Sequence, residues 1–417
     1  MDPGKYVQEL AAAAQRAATA LAVTPGAQRN AALLACAKAI RDRQPELQAA
    51  NEKDLARSGR FHLTGAMVDR LRLTEKVIES MASSLEQIAA QPDPVGRTIT
   101  TCNRPDGLQI EKRRVPIGVI GIIYESRPNV TADAAGLCIK SGNACILRGG
   151  KEALNSNLAI AAALHEGLAS AQVAEASVSM IDVTDKAVVP AMATAEGLID
   201  LIIPRGGEQL IRAVAEAATI PVIKHYAGNC HVYVHSRADL DMAEKIVMNA
   251  KCQRPAVCNA AETLLVDKAV AETFLPRIAA KLAEAGVELR GCQASRELAK
   301  MAAAREDDWR TEYLDLILAV KVVAGPEEAI AHINTYGSKH TDAIVTRDVA
   351  AAEAFVAGVD SASVMVNTST RLSDGGVYGL GAEVGISTDK LHARGPMGAD
   401  DLTTYKWIVI GNGHLRQ

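Results

Sequence analysis

The first hundred residues carry apolar side chains at helical spacing and predict a helical segment. Apolar positions recur about every third or fourth residue over 27–42 and 44–58, with Lys, Arg and Glu between them. Two short runs then flank the turn Pro105-Asp106-Gly107. Such a turn between runs of β character predicts a β-hairpin over 97–114. The chain therefore opens with helices and a small antiparallel element.

Beyond residue 116 the pattern alternates between short apolar runs and amphipathic segments. The run 117–123 is almost continuously apolar, which is typical of a strand buried on both faces of a parallel sheet. The elements predicted after it are helix 129–140, strand 144–147, helix 152–170, strand 178–181, helix 185–194, strand 198–203, helix 208–217 and strand 221–223. This order predicts an α/β fold with a Rossmann-type open parallel sheet.

A second alternating unit begins near residue 231. It is predicted to contain strand 231–235, helix 240–250 and strand 262–266, and it continues to about residue 366. The segment from residue 367 is rich in Gly, Ser and Thr and predicts mostly loop, before a terminal strand over 405–410. At 417 residues the chain is too long for one ordinary core, so at least two domains are expected.

Composition restricts the partners of this chain. Hydrophobic residues make up 48% and charged residues 23%, which is a globular balance. The formal net charge of −4 and the 3% of aromatic residues give no reason to expect nucleic acid. No stretch approaches the roughly 20 apolar residues of a membrane span. Glu9 and Arg16 interrupt the Ala-rich N-terminal run, which indicates an amphipathic surface helix rather than a secretory signal.

The eight cysteines are scattered and form no CxxC pair, so no zinc or thioredoxin-like motif is present. Their scatter fits reduced thiols and a cytoplasmic protein. Cys258 lies in a loop after Pro255, close to Arg254, where a thiol can be partly exposed and reactive. Cys252 lies at the same junction, and composition does not decide which of the two thiols is reactive and which is structural.

Two Arg-Gly-Gly turns follow predicted strands, at the sheet edge where doubly wound folds bind ligands. One is Arg148-Gly149-Gly150-Lys151 and the other is Arg205-Gly206-Gly207, just before a helix. Glycine lets backbone N–H groups approach a phosphate, and the arginines and Lys151 add positive charge. The alternative is that these are ordinary turn glycines beside solvated arginines.

Other motifs are weaker. The glycines of 379–385 follow a loop, whereas the glycines of a dinucleotide-binding fingerprint follow a strand, so this segment is not interpreted as such a fingerprint. His231 and His235 lie on a predicted strand, where four residues span about 13 Å, so they do not share an ion. His225 has no obvious partner, and no metal site is predicted. Asp307-Asp308 is expected to be a solvated surface pair.

Four segments resemble the gamma-glutamyl phosphate reductase family of the aldehyde dehydrogenase superfamily. They are VPIGVIGIIYESRPNVTADAAGLCIKSGNACILRGGKEALNSN, LIIPRGGEQLI, KCQRPAVCNAAETLLV and INTYGSKHTDAIVT. The resemblance runs nearly end to end. It implies NADPH-dependent reduction of L-glutamyl 5-phosphate to L-glutamate 5-semialdehyde and phosphate, the second step of proline biosynthesis from glutamate. It also implies an association with glutamate 5-kinase as a partner.

The resemblance implies three structural parts. Residues 1–225 would form an NADPH-binding domain, interrupted by a flap hairpin at about 97–114. Residues 226–402 would form the catalytic domain, and 403–417 would add the C-terminal strand of the flap. Since such a flap adds a strand to a neighbouring subunit, a homodimer or homotetramer is expected.

The resemblance also implies roles for single residues. Cys258 matches the nucleophile of the superfamily. Arg148 matches a lysine that contacts the adenosine ribose and its phosphate, and Lys151 falls where NAD-preferring relatives often carry a glutamate, so a cation there favours NADPH. Glu312 matches the glutamate that holds the nicotinamide ribose.

Two departures from aldehyde-oxidising relatives are informative. Their glutamate general base is replaced by Lys224 or His225, which fits a reductase that needs no hydrolytic water. Their oxyanion asparagine is replaced by Ser126. The backbone N–H of Cys258, with Ser126 or Asn129, is the predicted oxyanion donor set.

Three arginines are expected to bind the substrate carboxylate or phosphate, because a guanidinium can hold either at two points. They are Arg127, Arg254 and Arg371. Two other functions stay open. An acylating aldehyde dehydrogenase acting with coenzyme A or on an aspartyl phosphate would share the nucleophile, and a non-catalytic subunit would lack thiol-dependent turnover.

Overall fold

The structure is a computed structural model that describes residues 2–61 and 63–416. The helices are α1 Pro3–Leu21, α2 Gly26–Asp42, α3 Gln44–Leu55, α4 Gly65–Leu71, α5 Glu75–Ala90, α6 Val130–Lys140, α7 Leu154–Ser170, α8 Val188–Ala193, α9 Glu208–Ala217, α10 Leu240–Cys252, α11 Lys268–Glu284, α12 Gln293–Leu298, α13 Pro326–Tyr336 and α14 Val349–Gly358. The strands are β1 Thr98–Asn103, β2 Gln109–Pro116, β3 Val119–Tyr124, β4 Ala144–Arg148, β5 Val178–Met180, β6 Leu201–Arg205, β7 Cys230–Val234, β8 Ala261–Asp267, β9 Glu288–Gly291, β10 Ala302–Ala303, β11 Ile317–Val323, β12 Thr341–Val345, β13 Ser363–Val366, β14 Gly385–Ser387, β15 Gly395–Met397 and β16 Thr403–Ile410.

The chain divides into two compact units. The first contains the residues up to Lys224, Gly379–Gly385 and the residues from Met397 onward. The second contains His225–Tyr378 and Ile386–Pro396. Residues 379–385 and 397–402, which sequence analysis assigned to the catalytic domain, thus pack with the first unit. The roles expected for the two parts remain predictions.

The first unit is built on a four-stranded parallel sheet in the order β5-β4-β3-β6. All six residues of β3 are buried, as its continuous apolar run predicts. The strand predicted over 221–223 pairs with β6 but is shorter than predicted. Only a single bridge joins Val222 to Ile202, since Pro221 has no N–H to donate to a ladder.

A separate three-stranded antiparallel sheet, order β1-β2-β16, forms the flap of the first unit. The predicted hairpin is present, and its turn is closed by a hydrogen bond from the N–H of Arg104 to the carbonyl of Leu108 at 2.9 Å. Gly107 in that turn has φ +89, a conformation that favours glycine. Strand β16 then pairs with the whole of β2, from Thr403 opposite Pro116 to Ile410 opposite Gln109.

The second unit is built on seven parallel strands in the order β10-β9-β11-β8-β7-β12-β13. Alternate residues of each strand face opposite sides of the sheet. Val232 and Val234 of β7 face a core against α10 and α11, whereas Tyr233 faces a second core with Phe355 of α14. The sheet is therefore covered on both faces, as a parallel sheet requires.

The order of these strands decides which loops meet. Strands β11, β8, β7 and β12 are consecutive neighbours and run parallel. Their amino ends therefore lie along one edge of the sheet, about 4.8 Å apart from strand to strand. The segments that lead into these four strands converge at that edge.

Candidate active site

Cys258 lies at the amino edge of the second sheet, in the loop between α10 and β8. Pro255 follows the end of α10, and the loop closes with a hydrogen bond from the N–H of Ala260 to the carbonyl of Val257 at 3.0 Å. The Cys258 side chain is partly exposed, and Asn259 after it is buried. The loop placement predicted for Cys258 is confirmed by these positions.

Gly228 packs its backbone directly against that of Cys258. A Cβ atom at Gly228 would lie 1.9 Å from the carbonyl oxygen of Cys258 and 2.5 Å from its Cα. Only a residue without a side chain fits there. The buried thiol of Cys230 also donates to the carbonyl of Cys258 at 3.2 Å. Burial raises the pKa of Cys230 well above its usual value, so this thiol keeps its proton. The segment leading into β7 thus holds the main chain of Cys258.

Two histidines flank the Cys258 thiol. One ring nitrogen of His225, one of His340 and the Sγ of Cys258 all lie within 4.8 Å of one another. The Nδ1 of His225 is 2.8 Å from the carbonyl oxygen of Ile386. Because a carbonyl only accepts, Nδ1 carries the proton and the lone pair of the neutral ring is on Nε2. His225, for which the sequence suggested no partner, therefore lies close to the candidate nucleophile and to His340.

Two of the three predicted substrate arginines lie near Cys258. The Arg371 guanidinium bonds Oδ1 of Asn259 and donates to Oε1 of Gln253 at 2.9 Å. Burial and the neighbouring Arg254 lower the pKa of Arg371, and the charge of Cys258 opposes this shift. Arg127, the third, is exposed in the first unit.

Glu312 is held on the same edge by the main chain. Its Oε1 accepts the N–H of Gly228 at 2.8 Å. The next turn contains Leu314, with φ +55, and its N–H donates to Oε1 of Glu262 at 3.2 Å. Glu262 in turn receives a 2.6 Å bond from Lys251, and both side chains are fully buried. A buried ion pair thus anchors the loop that carries Glu312.

The first Arg-Gly-Gly turn follows β4 in the first unit. Gly149 leaves no room for a side chain, since a Cβ there would lie 2.0 Å from Nδ2 of Asn157. Within residues 2–61 and 63–416, the buried Nε of Arg148 finds no hydrogen-bond partner. Burial lowers the pKa of Arg148, with Glu152 opposing. Lys151 is exposed, and its Nζ lies 5.2 Å from the ring centre of Phe61.

The second Arg-Gly-Gly turn joins β6 to α9, and Gly207 is the N-cap of that helix. Strands β3 and β6 are neighbours with crossovers on opposite sides, so this is the switch point where doubly wound sheets bind ligands. The Glu125 carboxylate reaches the turn and accepts the N–H of Gly207 at 2.9 Å. A Cβ at Gly206 would meet the same carboxylate at 2.4 Å. Glu125 therefore takes the position where a helix terminus favours an anion.

Ser126 and Asn129 have partners inside the first unit. The N–H and the hydroxyl of Ser126 both donate to Oε1 of Glu152 at 2.7 Å, and Ser126 has φ +44. The Asn129 amide donates to Asp133 at 3.3 Å. Ser126 would have to leave Glu152 to serve as an oxyanion donor, whereas the Asn129 amide has a second N–H.

Asp308 and His231 both lie buried in the second unit. Asp308 is not solvated: it is buried, pairs with Arg290 at 2.8 Å and accepts from the Tyr313 hydroxyl at 2.7 Å. His231 is on β7 as predicted, with Nδ1 2.8 Å from the buried Asp342. Of the helices described in the two ranges, none has the length and apolar character to cross a membrane.

Known proteins similar to this chain support one family. Residues 4–297 match the aldehyde dehydrogenase family. The chain is 54% identical to a gamma-glutamyl phosphate reductase of Geobacter metallireducens over the full length of both, and 52% identical to one of Moorella thermoacetica, again over the full length of both. The crystal structure of gamma-glutamyl phosphate reductase from Thermotoga maritima superposes with a TM-score of 0.95 at 45% identity, covering 98% of this chain and 99% of that one.

Proposed function

The chain belongs to the aldehyde dehydrogenase family and, within it, to the gamma-glutamyl phosphate reductases, and on that premise we propose that it reduces L-glutamyl 5-phosphate with NADPH. The products would be L-glutamate 5-semialdehyde and phosphate, in the second step of proline biosynthesis from glutamate. The observation that carries the proposal is the partly exposed Cys258 thiol within 4.8 Å of His225 and beside Arg371.

His225 and Cys258 supply the first step of the proposed mechanism. The Nε2 lone pair of His225 accepts the proton of the Cys258 thiol. The thiolate attacks the acyl carbon, the carbon–oxygen bond to phosphate breaks, and phosphate leaves with the bonding electrons. The product is a thioester on Cys258.

The charge that develops on the acyl oxygen needs a donor. We propose the backbone N–H of Cys258, whose main chain Gly228 and Cys230 hold in place. Ser126 and Asn129 remain predicted contributors. Because the Ser126 donors both bond Glu152, their contribution depends on a change of partner when substrate binds.

Arginine side chains account for binding a substrate with a carboxylate and a phosphate. Arg254 and Arg371 place positive charge beside the nucleophile, and Arg127 is the third predicted contact. We propose that Arg371, which Asn259 and Gln253 orient, holds the leaving phosphate. A fixed guanidinium grips two phosphate oxygens without losing further side-chain freedom.

The residues of the first unit fit NADPH. Among the residues that the structure describes, the Nε of Arg148 has no hydrogen-bond partner, which suits the cofactor's phosphates or ribose, and the exposed Lys151 suits a 2′-phosphate. Gly149, Gly206 and Gly207 are the predicted phosphate contacts, and at the second turn a phosphate would have to displace the Glu125 carboxylate that accepts the Gly207 N–H. Glu312 is the predicted ligand of the nicotinamide ribose. When bound, NADPH supplies the hydride that reduces the thioester carbon, after which Cys258 is released as a thiolate.

The test is the reverse reaction: NADP⁺-dependent oxidation of the semialdehyde in phosphate buffer. Cys258→Ser should abolish turnover, because a serine hydroxyl beside an imidazole is a far weaker nucleophile than a thiolate. Cys252→Ser is the matched control, since Cys252 is also partly exposed and lies at the end of α10. Near-normal turnover in Cys258→Ser would sink the mechanism, and equal rates with NAD⁺ would contradict the NADPH proposal.

We further propose that the chain forms a homodimer or homotetramer through its flap. The outer strand β16 exposes Tyr405 (50%) and Trp407 (59%), with the Lys112 ammonium 3.5 Å from the Tyr405 ring centre. An exposed sheet edge with aromatic side chains favours strand addition from another chain. A cytoplasmic location, supported by eight free cysteines, and an association with glutamate 5-kinase remain predictions.

A further inference from the structure

Three side chains with metal-binding atoms meet where three adjacent strands begin. His225 lies shortly before β7, Cys258 shortly before β8 and His340 directly before β12. These strands are neighbours in the order β8-β7-β12, so their amino ends converge. The two imidazole nitrogens and the Sγ atom lie within 4.8 Å of one another.

This donor set has a definite metal preference. A thiolate and two imidazoles suit a borderline divalent cation such as Zn²⁺, and do not suit Mg²⁺ or Ca²⁺, which prefer oxygen. With Zn–S near 2.3 Å and Zn–N near 2.1 Å, tetrahedral ligands lie roughly 3.5 Å apart. The three side chains need to close by little more than about 1 Å, which side-chain rotation alone can supply.

The surroundings already orient both rings. Nδ1–H of His225 donates to the carbonyl of Ile386 at 2.8 Å, which turns Nε2 into the free electron-pair donor. Nδ1 of His340 lies 2.9 Å from Oγ1 of Thr341. A hydrogen bond on one ring nitrogen that fixes the other for coordination is the usual second layer of a zinc site.

We propose that His225, Cys258 and His340 form a reversible binding site for Zn²⁺ or a similar divalent cation. The bound cation would prevent the Cys258 thiolate from attacking substrate. The thiolate that would attack substrate is the one that binds metal, so the two events exclude each other. Three protein ligands leave a fourth position for water or an anion. Arg254 and Arg371 oppose a dication nearby, so binding is weaker than in a structural zinc site. Only the loss of activity rests on the proposed function; the binding itself does not.

Cobalt titration tests the site without reference to catalysis. Co²⁺ added to the reduced full-length chain should give the visible absorption of tetrahedral cobalt together with a near-ultraviolet thiolate-to-cobalt band. Cys258→Ser should lose the thiolate band, and His225→Gln or His340→Gln should each weaken cobalt binding at least about tenfold. Cys252→Ser should keep both the band and the affinity. An unchanged band in Cys258→Ser, or unchanged affinity in both histidine variants, would overturn the proposal.

Alkylation of the unaltered chain gives an answer that does not depend on any variant folding. Zn²⁺ should slow iodoacetamide labelling of Cys258 at least about tenfold, with labelling of Cys252 unchanged and a chelator restoring the rate. Equal labelling of Cys258 with and without Zn²⁺ would refute the site. If semialdehyde oxidation is present, Zn²⁺ should inhibit it and a chelator reverse the inhibition. A chain that binds cobalt through Cys258 but oxidises no semialdehyde would overturn the proposed function alone.

Discussion

Replacing Gly228 by alanine tests whether the segment before β7 holds the nucleophile in place. The added methyl group would lie 1.9 Å from the carbonyl oxygen of Cys258, while ordinary contact begins at 3.4 Å. The atoms that the methyl group meets belong to the Cys258 main chain and not to a flexible side chain, so that main chain must retreat by about 1.5 Å. A displacement of about 1 Å at a reacting group costs roughly a hundredfold in rate. We expect kcat to fall by at least that factor.

The assay combines turnover with thiol chemistry. Steady-state oxidation of the semialdehyde gives kcat, iodoacetamide labelling gives the reactivity of Cys258, and thermal unfolding reports stability, which overpacking should lower by about 1–3 kcal/mol. Gly325→Ala is the matched control. Gly325 is in the second unit with φ 169, and its added Cβ would meet only the flexible Glu327 carboxylate at 3.5 Å. Unchanged kcat and labelling in a folded Gly228→Ala chain would refute the reasoning.

Three other changes have defined outcomes. Glu125→Gln removes the carboxylate that bonds Gly207, so the NADPH KM should fall; a higher KM would contradict the assignment of this turn to phosphate. Burial raises the pKa of Glu262 from 4.5 to about 7, and the charge of Lys251 opposes this shift. The contribution of Glu262 to the free energy of unfolding is therefore fully present below about pH 4.5 and is lost as pH rises through about 7. Lys251→Met removes the opposing charge, so the pKa of Glu262 should rise further and the loss of stability should continue to higher pH. Urea unfolding should then show a larger fall in the free energy of unfolding between about pH 6 and about pH 9 than in the unaltered chain, and an equal fall in both would contradict this reasoning. Trp407→Glu puts a charge on the exposed flap strand and should lower the mass of the assembly measured by light scattering. An unchanged mass would show that the flap takes no part in assembly.

The order of helices and strands was largely predictable from the apolar pattern. Helix α9 begins and ends at the predicted residues because Gly206-Gly207 marks its start and its apolar side is regular. The strand over 221–223 is reduced to one bridge to Ile202, because Pro221 lacks the N–H that would extend the ladder. Asp308 was misjudged because its partner Arg290 is on β9, and no local pattern connects them.

The candidate site was only partly predictable. Cys258 and the Arg-Gly-Gly turns are local motifs, so short segments revealed them. His340 was not singled out, and the closeness of His225 to it was not foreseen, because that closeness depends on β7 lying beside β12, strands far apart in the sequence. His340 directly precedes β12, and a search for histidines at such positions would have found it.

The amino edge of the second sheet has a consequence for how the chain acquires activity. His225, Cys258, Glu312 and His340 come from four separate loops, and each loop is placed by a different strand of the same sheet. Contacts between distant segments are slow to form, because loop closure must precede their stabilisation. Helices such as α10 and α11 can therefore regain their circular dichroism before the four loops come into register. During refolding, turnover should therefore recover later than helix circular dichroism, at the point where all four strands have paired with their native neighbours.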